Sequence, residues 1–210
     1  MKRFLCAVLI AVMLPALCAG PRAETGAQAN AGHASVTPDG MIEYTNPENG
    51  YRIMHPASWN IADRETVDGL LNLVTGDGVP GVDGSVLRQS EGQIRNGNIV
   101  MFWTLDGGIH VIACEETPLR LMPSLAASLL CPQIIAQYRQ MYAKVDVLQS
   151  GAVARYGDNE FVYLSMRVHV PGDTLVIDLF LYFGDKAMYT LAFDAADPVT
   201  GDMLASFATP

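Results

Sequence analysis

The chain has 210 residues, with 13 lysines and arginines against 22 aspartates and glutamates, which gives a net charge of −9 at pH 7. No run of basic residues occurs anywhere after residue 19. The charge therefore argues against nucleic-acid binding, which depends on basic patches that neutralise phosphates. No segment has the roughly 20 uncharged apolar residues that a membrane-spanning helix needs.

The N-terminus has the pattern of a secretory signal peptide. Lys2 and Arg3 precede an apolar stretch that extends to Leu14 and is followed by small residues. We therefore expect residues 1–19 to be a signal peptide and the protein to be exported, either periplasmic or secreted. Removal of this segment takes away two bases and no acid, which leaves 11 basic against 22 acidic residues and a net charge of −11.

The cleavage site leaves two alternatives open. Small residues favour an ordinary cut after Ala19, whereas a cut before Cys18 would allow lipidation of that cysteine and anchor the protein to a membrane. Leu17 is bulkier than the residue that normally precedes a lipidated cysteine. Residues 20–40 have the composition of a flexible tether, and residues 41–210 are long enough for a single domain with one substantial core.

Two β-hairpins are predicted in the first half of this domain: Met41–Tyr44 with Tyr51–His55, and Asn98–Leu105 with Gly108–Cys114. Asp106-Gly107, between the second pair, is a dipeptide typical of tight hairpin turns. Residues 62–97 are rich in Gly, Asp and Pro, and predict mostly loop with one short element.

Apolar residues at helical spacing predict a helical segment over residues 119–144, and this set includes Leu125, Leu129 and Tyr138. Pro132 lies within the segment. Because proline removes a backbone donor and its ring obstructs the preceding turn, we expect two abutting helices or one kinked helix.

The last part of the chain predicts a β-meander and a short helix near residues 201–207. The three strands are Phe161–Val170, Leu175–Phe183 and Ala187–Asp194. If Gly172-Asp173 forms the first turn, Arg167 faces Asp178 and Tyr163 faces Tyr182. The order of elements predicts an α+β fold, in which helices pack on an antiparallel β-sheet as a three-layer α/β/α sandwich.

One face of this meander is a candidate partner surface. Its members are aromatic or positively ionisable: Phe161, Tyr163, Arg167, His169, Phe180 and Tyr182. An exposed aromatic patch rimmed by charge is typical of a protein-binding site. If the 119–144 helices cover the face, it is instead a second core, and this interpretation is favoured.

Cys114 and Cys131 are the cysteines that remain outside the signal region. An oxidising compartment permits them to pair, and a loop of about 17 residues closed by such a disulfide stabilises the fold by about 3 kcal/mol. The alternative is two buried free thiols, which behave as small apolar groups.

The sequence contains no motif that specifies a catalytic, metal or cofactor site. Gly76–Gly81 matches the glycine pattern of dinucleotide sites, but Pro80 and the absence of a following helical pattern indicate a loop. The four histidines are dispersed, without metal-ligand spacing, and no serine lies in a nucleophile-elbow motif. We therefore expect no enzymatic activity and no cofactor.

The phrase from Asn49 to Trp59, with its Gly-Tyr strand and its Pro-x-x-Trp step, resembles the opening of PsbP-like domains, and Met188–Phe193 resembles their closing strand. The resemblance extends over about residues 41–207. The segment 75–84 departs from it as an insertion. The resemblance implies a PsbP-like fold and a mostly non-catalytic superfamily of accessory subunits, adaptors and exported bacterial proteins.

These observations predict a non-catalytic exported accessory protein of the bacterial cell envelope that acts through a protein partner. The alternative is a small envelope hydrolase or small-ligand-binding protein that uses the 62–97 region as its pocket. A deep cleft lined by His55, Trp59 or His110 together with a convergent carboxylate would favour the alternative.

Overall fold

The computed structural model describes residues 40–62, 97–104, 108–116, 122–170, 173–185, 187–194 and 199–209. The predicted signal peptide, the tether up to Asp39 and the lipidation site at Cys18 lie outside these residues. So does the 62–97 region, apart from its two end residues. These assignments stay predictions.

The described chain forms nine strands and two helices. In chain order they are β1 (Met41–Asn46), β2 (Tyr51–Pro56), β3 (Asn60–Ile61), β4 (Ile99–Trp103), β5 (Ile109–Glu116), α1 (Pro123–Met141), β6 (Lys144–Tyr156), β7 (Asn159–Val170), β8 (Asp173–Phe183), β9 (Ala187–Asp194) and α2 (Thr200–Ser206).

Seven of the strands form one sheet in the order β3-β4-β5-β9-β8-β7-β6, and all neighbours are antiparallel. Strands β1 and β2 form a separate hairpin. Helix α1 packs on one face of the large sheet, while the hairpin and α2 pack on the other. The predicted α+β fold with three layers is thus confirmed.

Two apolar cores lie on the two faces of the sheet. Side chains alternate along a strand, so Val162 and Leu164 of β7 join the core under α1, whereas Phe161 joins the core under the hairpin. Strand β8 divides in the same way, with Leu179 on the α1 side and Phe180 on the hairpin side. The faces predicted from the alternation are correct.

The predicted register of the β7–β8 hairpin is wrong by two residues. Val170 pairs with Asp173 rather than with Leu175, so Tyr163 lies opposite Phe180 and Arg167 opposite Val176. Because the side-chain period of a strand is two, a shift of two residues leaves every side chain on its predicted face. The predicted pairs Arg167–Asp178 and Tyr163–Tyr182 are replaced. Instead, the Tyr163 hydroxyl donates to Asp178 Oδ1 at 3.0 Å.

Helix α1 is one helix that contains Pro132, and not two. Within the described residues, no helix is both long enough and apolar enough to cross a bilayer.

Strand β6 was not predicted. Two irregularities in its pairing with β7, at Val147/Gln149 and Ser150/Ala152, interrupt the alternation on which recognition of a strand depends.

A network of hydrogen bonds holds the β1–β2 hairpin against the large sheet. The side-chain amide of Asn49 donates to Gly97 O at 2.8 Å, and the Tyr189 hydroxyl donates to Asn49 O at 2.8 Å. Arg52 N and Ala208 N each donate to the other residue's carbonyl oxygen, at 2.9 and 3.0 Å. The turn of the hairpin is therefore fixed to the large sheet, and β2 is fixed to the C-terminal segment.

Gly151 sets how closely α1 approaches β6. Its φ is +72°, and a Cβ at this position would lie 3.1 Å from Ala127 Cβ. Any side chain here meets both a left-handed backbone and a tight contact with the helix.

Replacement of Gly151 by alanine is expected to lower the free energy of unfolding by about 2 kcal/mol or more, since backbone strain and overpacking each cost about 1 kcal/mol or more. Gly40 is the matched control, because its φ is +74° but a Cβ added there would have no atom within 4 Å. Urea unfolding of both variants should show the smaller loss for Gly40→Ala. Equal losses would show that α1 does not pack against Gly151.

Candidate functional site

The structure divides the predicted partner surface into an aromatic group, which is buried or half-buried, and a pair of polar residues, Arg167 and His169. Phe161 is fully buried and Phe180 is 3% exposed, while Tyr163 and Tyr182 are half-buried against them. The group is covered, but the favoured interpretation, in which the 119–144 helices cover it, is wrong. Strands β1 and β2 and helix α2 cover the group, and α1 lies on the opposite face of the sheet.

Phe207, directly after α2, is the centre of this aromatic core. Its ring centroid lies 5.3 Å from those of Tyr182 and Tyr189, 5.8 Å from Tyr51 and 6.3 Å from Phe161. The Asn159 amide donates to Phe207 O at 2.6 Å and fixes the segment against the β6–β7 turn. These aromatic contacts stabilise the packing of the layers.

Arg167 and His169, the polar pair of the predicted surface, lie on β7 near its C-terminal end. Arg167 is exposed, and His169 Nε2 lies 2.8 Å from Asp146 Oδ2. Lys144 Nζ is 3.4 Å from the same carboxylate oxygen. The hydrogen bond from His169, and then the charge of Lys144, lower the pKa of the Asp146 carboxyl. The interaction links the edge strand β6 to its neighbour.

The three residues named for the alternative site lie together inside the fold. The indole of Trp59 stacks on the imidazole of His110, with centroids 4.1 Å apart and planes at 6°. The ring of His55 lies 5.2 Å from Phe102, which pairs with His110 across β4 and β5. Trp59 is 7%, His55 4% and His110 1% exposed. We call this group the histidine–tryptophan cluster.

The imidazole of His55 is hydrogen-bonded to the backbone of the next residue. Its Nδ1 lies 2.9 Å from Pro56 O, so that nitrogen donates and the neutral tautomer with a proton on Nδ1 is favoured. Burial lowers the pKa of His55, and the hydrogen bond to Pro56 opposes this only in part. Among the described residues, no three ionisable or sulfur side chains are grouped as a metal site would require.

The buried state of His55 predicts a loss of stability in acid. Below about pH 6.5, where histidine in an unfolded chain takes up a proton, folded His55 resists protonation and the free energy of unfolding falls. His55→Asn keeps a donor near Pro56 O and removes the titrating ring. Urea unfolding from about pH 7.5 to about pH 5 should show a shallower decline for this variant. An unchanged decline would contradict the assignment.

The predicted disulfide between Cys114 and Cys131 does not form in this fold. Both are free thiols, 5% and 1% exposed. Cys114 belongs to the core under the hairpin and Cys131 to the core under α1, so the sheet lies between them. A disulfide needs Cα atoms about 4–7 Å apart. The alternative of two buried free thiols describes the structure, and burial raises the pKa of Cys131.

Both thiols should therefore react with an alkylating reagent only after unfolding. Buried thiols that are held protonated are poor nucleophiles. Mass spectrometry of the chain after treatment with iodoacetamide should show no label on Cys114 or Cys131 in buffer and two labels in denaturant without reductant. A chain that takes up these two labels only after reduction would contain the disulfide.

A surface that the sequence did not indicate lies on the outer side of α1. Leu125 and Leu129, two of the apolar residues whose spacing predicted the helix, are each 49% exposed, and Met122 is 71% exposed. The large exposed hydrophobic residues of the described chain are all on or next to α1 or on β6: Met122, Leu125, Leu129, Leu148 and Val153. The residues that turn towards the sheet are Ala126, Cys131, Ile134 and Tyr138.

Comparison with known proteins identifies the fold. The structure is similar to the solution structure of cyanobacterial PsbP (CyanoP) from Synechocystis sp. PCC 6803, with 15% sequence identity, a TM-score of 0.52, and coverage of 86% of this chain and 98% of that chain. A crystal structure from Bacteroides thetaiotaomicron VPI-5482 matches with 10% identity and a TM-score of 0.43, over 80% of this chain and 48% of that chain. No family model and no curated protein matches.

The chain therefore has a PsbP-like α+β fold, as the resemblance around Asn49–Trp59 implied. The Pro-x-x-Trp step has a structural role. Pro56 ends β2, its carbonyl oxygen accepts from Trp59 N at 3.0 Å, and this turn places the indole on His110. The motif that resembles the family thus fixes the hairpin to the sheet.

Proposed function

We propose that this chain is a non-catalytic accessory protein of the bacterial cell envelope that acts by binding a protein partner. The PsbP-like fold carries the proposal, because the resemblance implies a superfamily of mostly accessory and adaptor proteins. The signal-peptide pattern of residues 1–19 supports export.

The contacts of the histidines in the described part of the chain fit this role. His55 binds a backbone carbonyl oxygen, His110 stacks on Trp59, and His169 binds Asp146. The contacts of His110 and His169 each connect separate parts of the fold, whereas that of His55 is to its neighbour in sequence. The aromatic side chains of the hairpin-side core connect the layers in the same way.

A second candidate, a small envelope hydrolase or ligand-binding protein, rests on the histidine–tryptophan cluster, whose three residues lie together although they are 1–7% exposed. Two imidazoles and an indole in one region are the kind of group from which a binding site is built. The 62–97 region that would complete the site lies outside the described residues. Thermal-shift screening with small molecules tests this candidate, since a bound ligand raises the melting temperature by mass action.

A crosslinked pull-down from native envelopes tests the proposed function. The tag is placed at the C-terminus so that Cys18 and the signal peptide remain intact. We expect a protein partner that is recovered in stoichiometric amount and persists through washing. A chain that begins at residue 20, with an added initiator methionine, is the matched control, because it lacks the export signal and should not capture the partner. A monomeric exported chain without a partner would contradict the proposal.

A further inference from the structure

The β1–β2 hairpin lies on the large sheet without being part of it. It forms a separate two-stranded sheet. Among the described residues, the backbone pairing of β2 outside the hairpin is the bridge between Arg52 and Ala208. The inner face of the hairpin contacts the large sheet through side chains, which include the buried Tyr44, Tyr51 and Ile53. A two-stranded hairpin by itself is marginally stable in water, so its folding depends on these contacts.

The turn end of the hairpin, residues 46–51, is attached by groups that keep their charge at all moderate pH values. The side-chain amide of Asn49 donates to Gly97 O, and the Tyr189 hydroxyl donates to Asn49 O. Amides do not titrate, and burial raises the pKa of Tyr189 above its usual range. This attachment is therefore the same in weak acid as at neutral pH.

The open end of the hairpin, where β1 begins and β2 ends, is attached by rings that include two imidazoles. The ring of His55 is 4% exposed, and its centroid lies 5.2 Å from that of Phe102 on β4. Trp59, which follows β2, stacks on His110 of β5 at 4.1 Å. Histidine is the side chain whose ordinary charge change falls between about pH 5 and pH 8. The open end is therefore the part of the hairpin that can respond to acid.

In the described part of the chain, the groups around His55 do not supply a negative charge to its protonated form. Burial raises the pKa of Tyr44, on β1, to about 12, so this side chain stays neutral. His110, on β5, is itself an imidazole. Glu43 of β1 and Arg52 of β2 interact with each other at 3.5 Å on the exposed face of the hairpin.

Burial therefore dominates the protonation of His55. It lowers the pKa of the imidazole, and the hydrogen bond to Pro56 O opposes this only in part. The carboxylate that α2 contributes, Asp202, is exposed in the first turn of that helix. In water an imidazole takes up a proton below about pH 6.5. Acid therefore favours every conformation in which His55 has left the sheet.

We propose that the β1–β2 hairpin is an acid-released cover: when His55 takes up a proton, the hairpin leaves the large sheet as a unit and uncovers the aromatic core beneath it. Units that open cooperatively often coincide with a supersecondary motif such as a hairpin. The uncovered core includes Phe161 and Phe180 of the predicted partner surface. His110 is not the trigger, because its stack on the Trp59 indole favours a positively charged imidazole. This inference goes beyond the proposed function and does not depend on it.

The two cysteines measure the release, because one lies under each layer. Cys114 belongs to the core under the hairpin, with its Sγ 4.0 Å from Asn49 O, and Cys131 belongs to the core under α1. A dipyridyl disulfide labels thiols in weak acid as well as at neutral pH, and peptide mass spectrometry reads the two sites separately. The labelling rate divided by that of the unfolded chain at the same pH gives the open fraction of each thiol.

We expect the open fraction of Cys114 to rise about tenfold more than that of Cys131 between about pH 7.5 and pH 5. Release of the hairpin exposes Cys114 alone, whereas global unfolding exposes both thiols. A histidine that stays neutral in the closed form and titrates normally in the open form favours opening by up to about thirtyfold over this interval.

Substitution of His55 identifies the trigger. His55→Asn should remove the additional rise at Cys114, because its side chain does not titrate, and His55→Gln should do the same. His169→Asn is the matched control and should keep the rise, since His169 is a half-buried imidazole on β7, outside the hairpin. The change with pH is compared, so a variant whose hairpin is weaker at every pH still tests the inference. Circular dichroism verifies that each variant folds.

Three results would overturn the inference. They are an equal rise at Cys114 and Cys131, no rise at either thiol, and a rise at Cys114 that persists in both His55 variants. An equal rise would mean that His55 acts through global unfolding alone. Each of these results leaves the proposed function standing. An envelope pull-down without a partner contradicts the proposed function and leaves the release of the hairpin unaffected.

Discussion

Strands β7, β8 and β9 are apolar on both faces, and the rest of the structure depends on covering both. Phe161 and Val162 are adjacent in sequence, point to opposite faces, and are both fully buried. A sheet of this kind cannot leave either face in water without exposing a large apolar area. Helix α1 covers one face. The β1–β2 hairpin and α2 cover the other, where Phe207 contacts rings from both the hairpin and the sheet.

This requirement explains the contacts of several aromatic residues and of His110. Trp59 stacks on His110 to hold the hairpin, and the backbone carbonyl of Asn49 accepts from Tyr189. The aromatic side chains of the predicted partner surface pack between the sheet and the layer formed by the hairpin and α2. Among the described residues, the large apolar side chains that stay exposed are on or next to α1 and on β6.

The sequence was sufficient to predict the fold class, the β1–β2 hairpin and the faces of the meander, because alternation of side chains depends only on neighbouring residues. The sequence was insufficient where contacts with a distant part of the chain determine the structure. Either the hairpin or α1 could cover a given face of the sheet. The alternation of side chains along β7 does not indicate which of them covers Phe161. Strand β6 was missed because its irregular pairing hides its period. Cys114 and Cys131 are 17 residues apart in sequence, yet a sheet separates them.

Hydroxyl-radical footprinting with mass spectrometry tests the central claim that the aromatic face is core and the outer side of α1 is surface. Methionines provide an internal comparison, because Met122 is 71% exposed while Met166 and Met203 are fully buried. We expect rapid oxidation of Met122, Leu125 and Leu129, and protection of Met166, Met203, Phe161 and Phe207. Oxidation of Phe161 and Phe207 as readily as in the unfolded chain, with Leu125 and Leu129 protected, would contradict it.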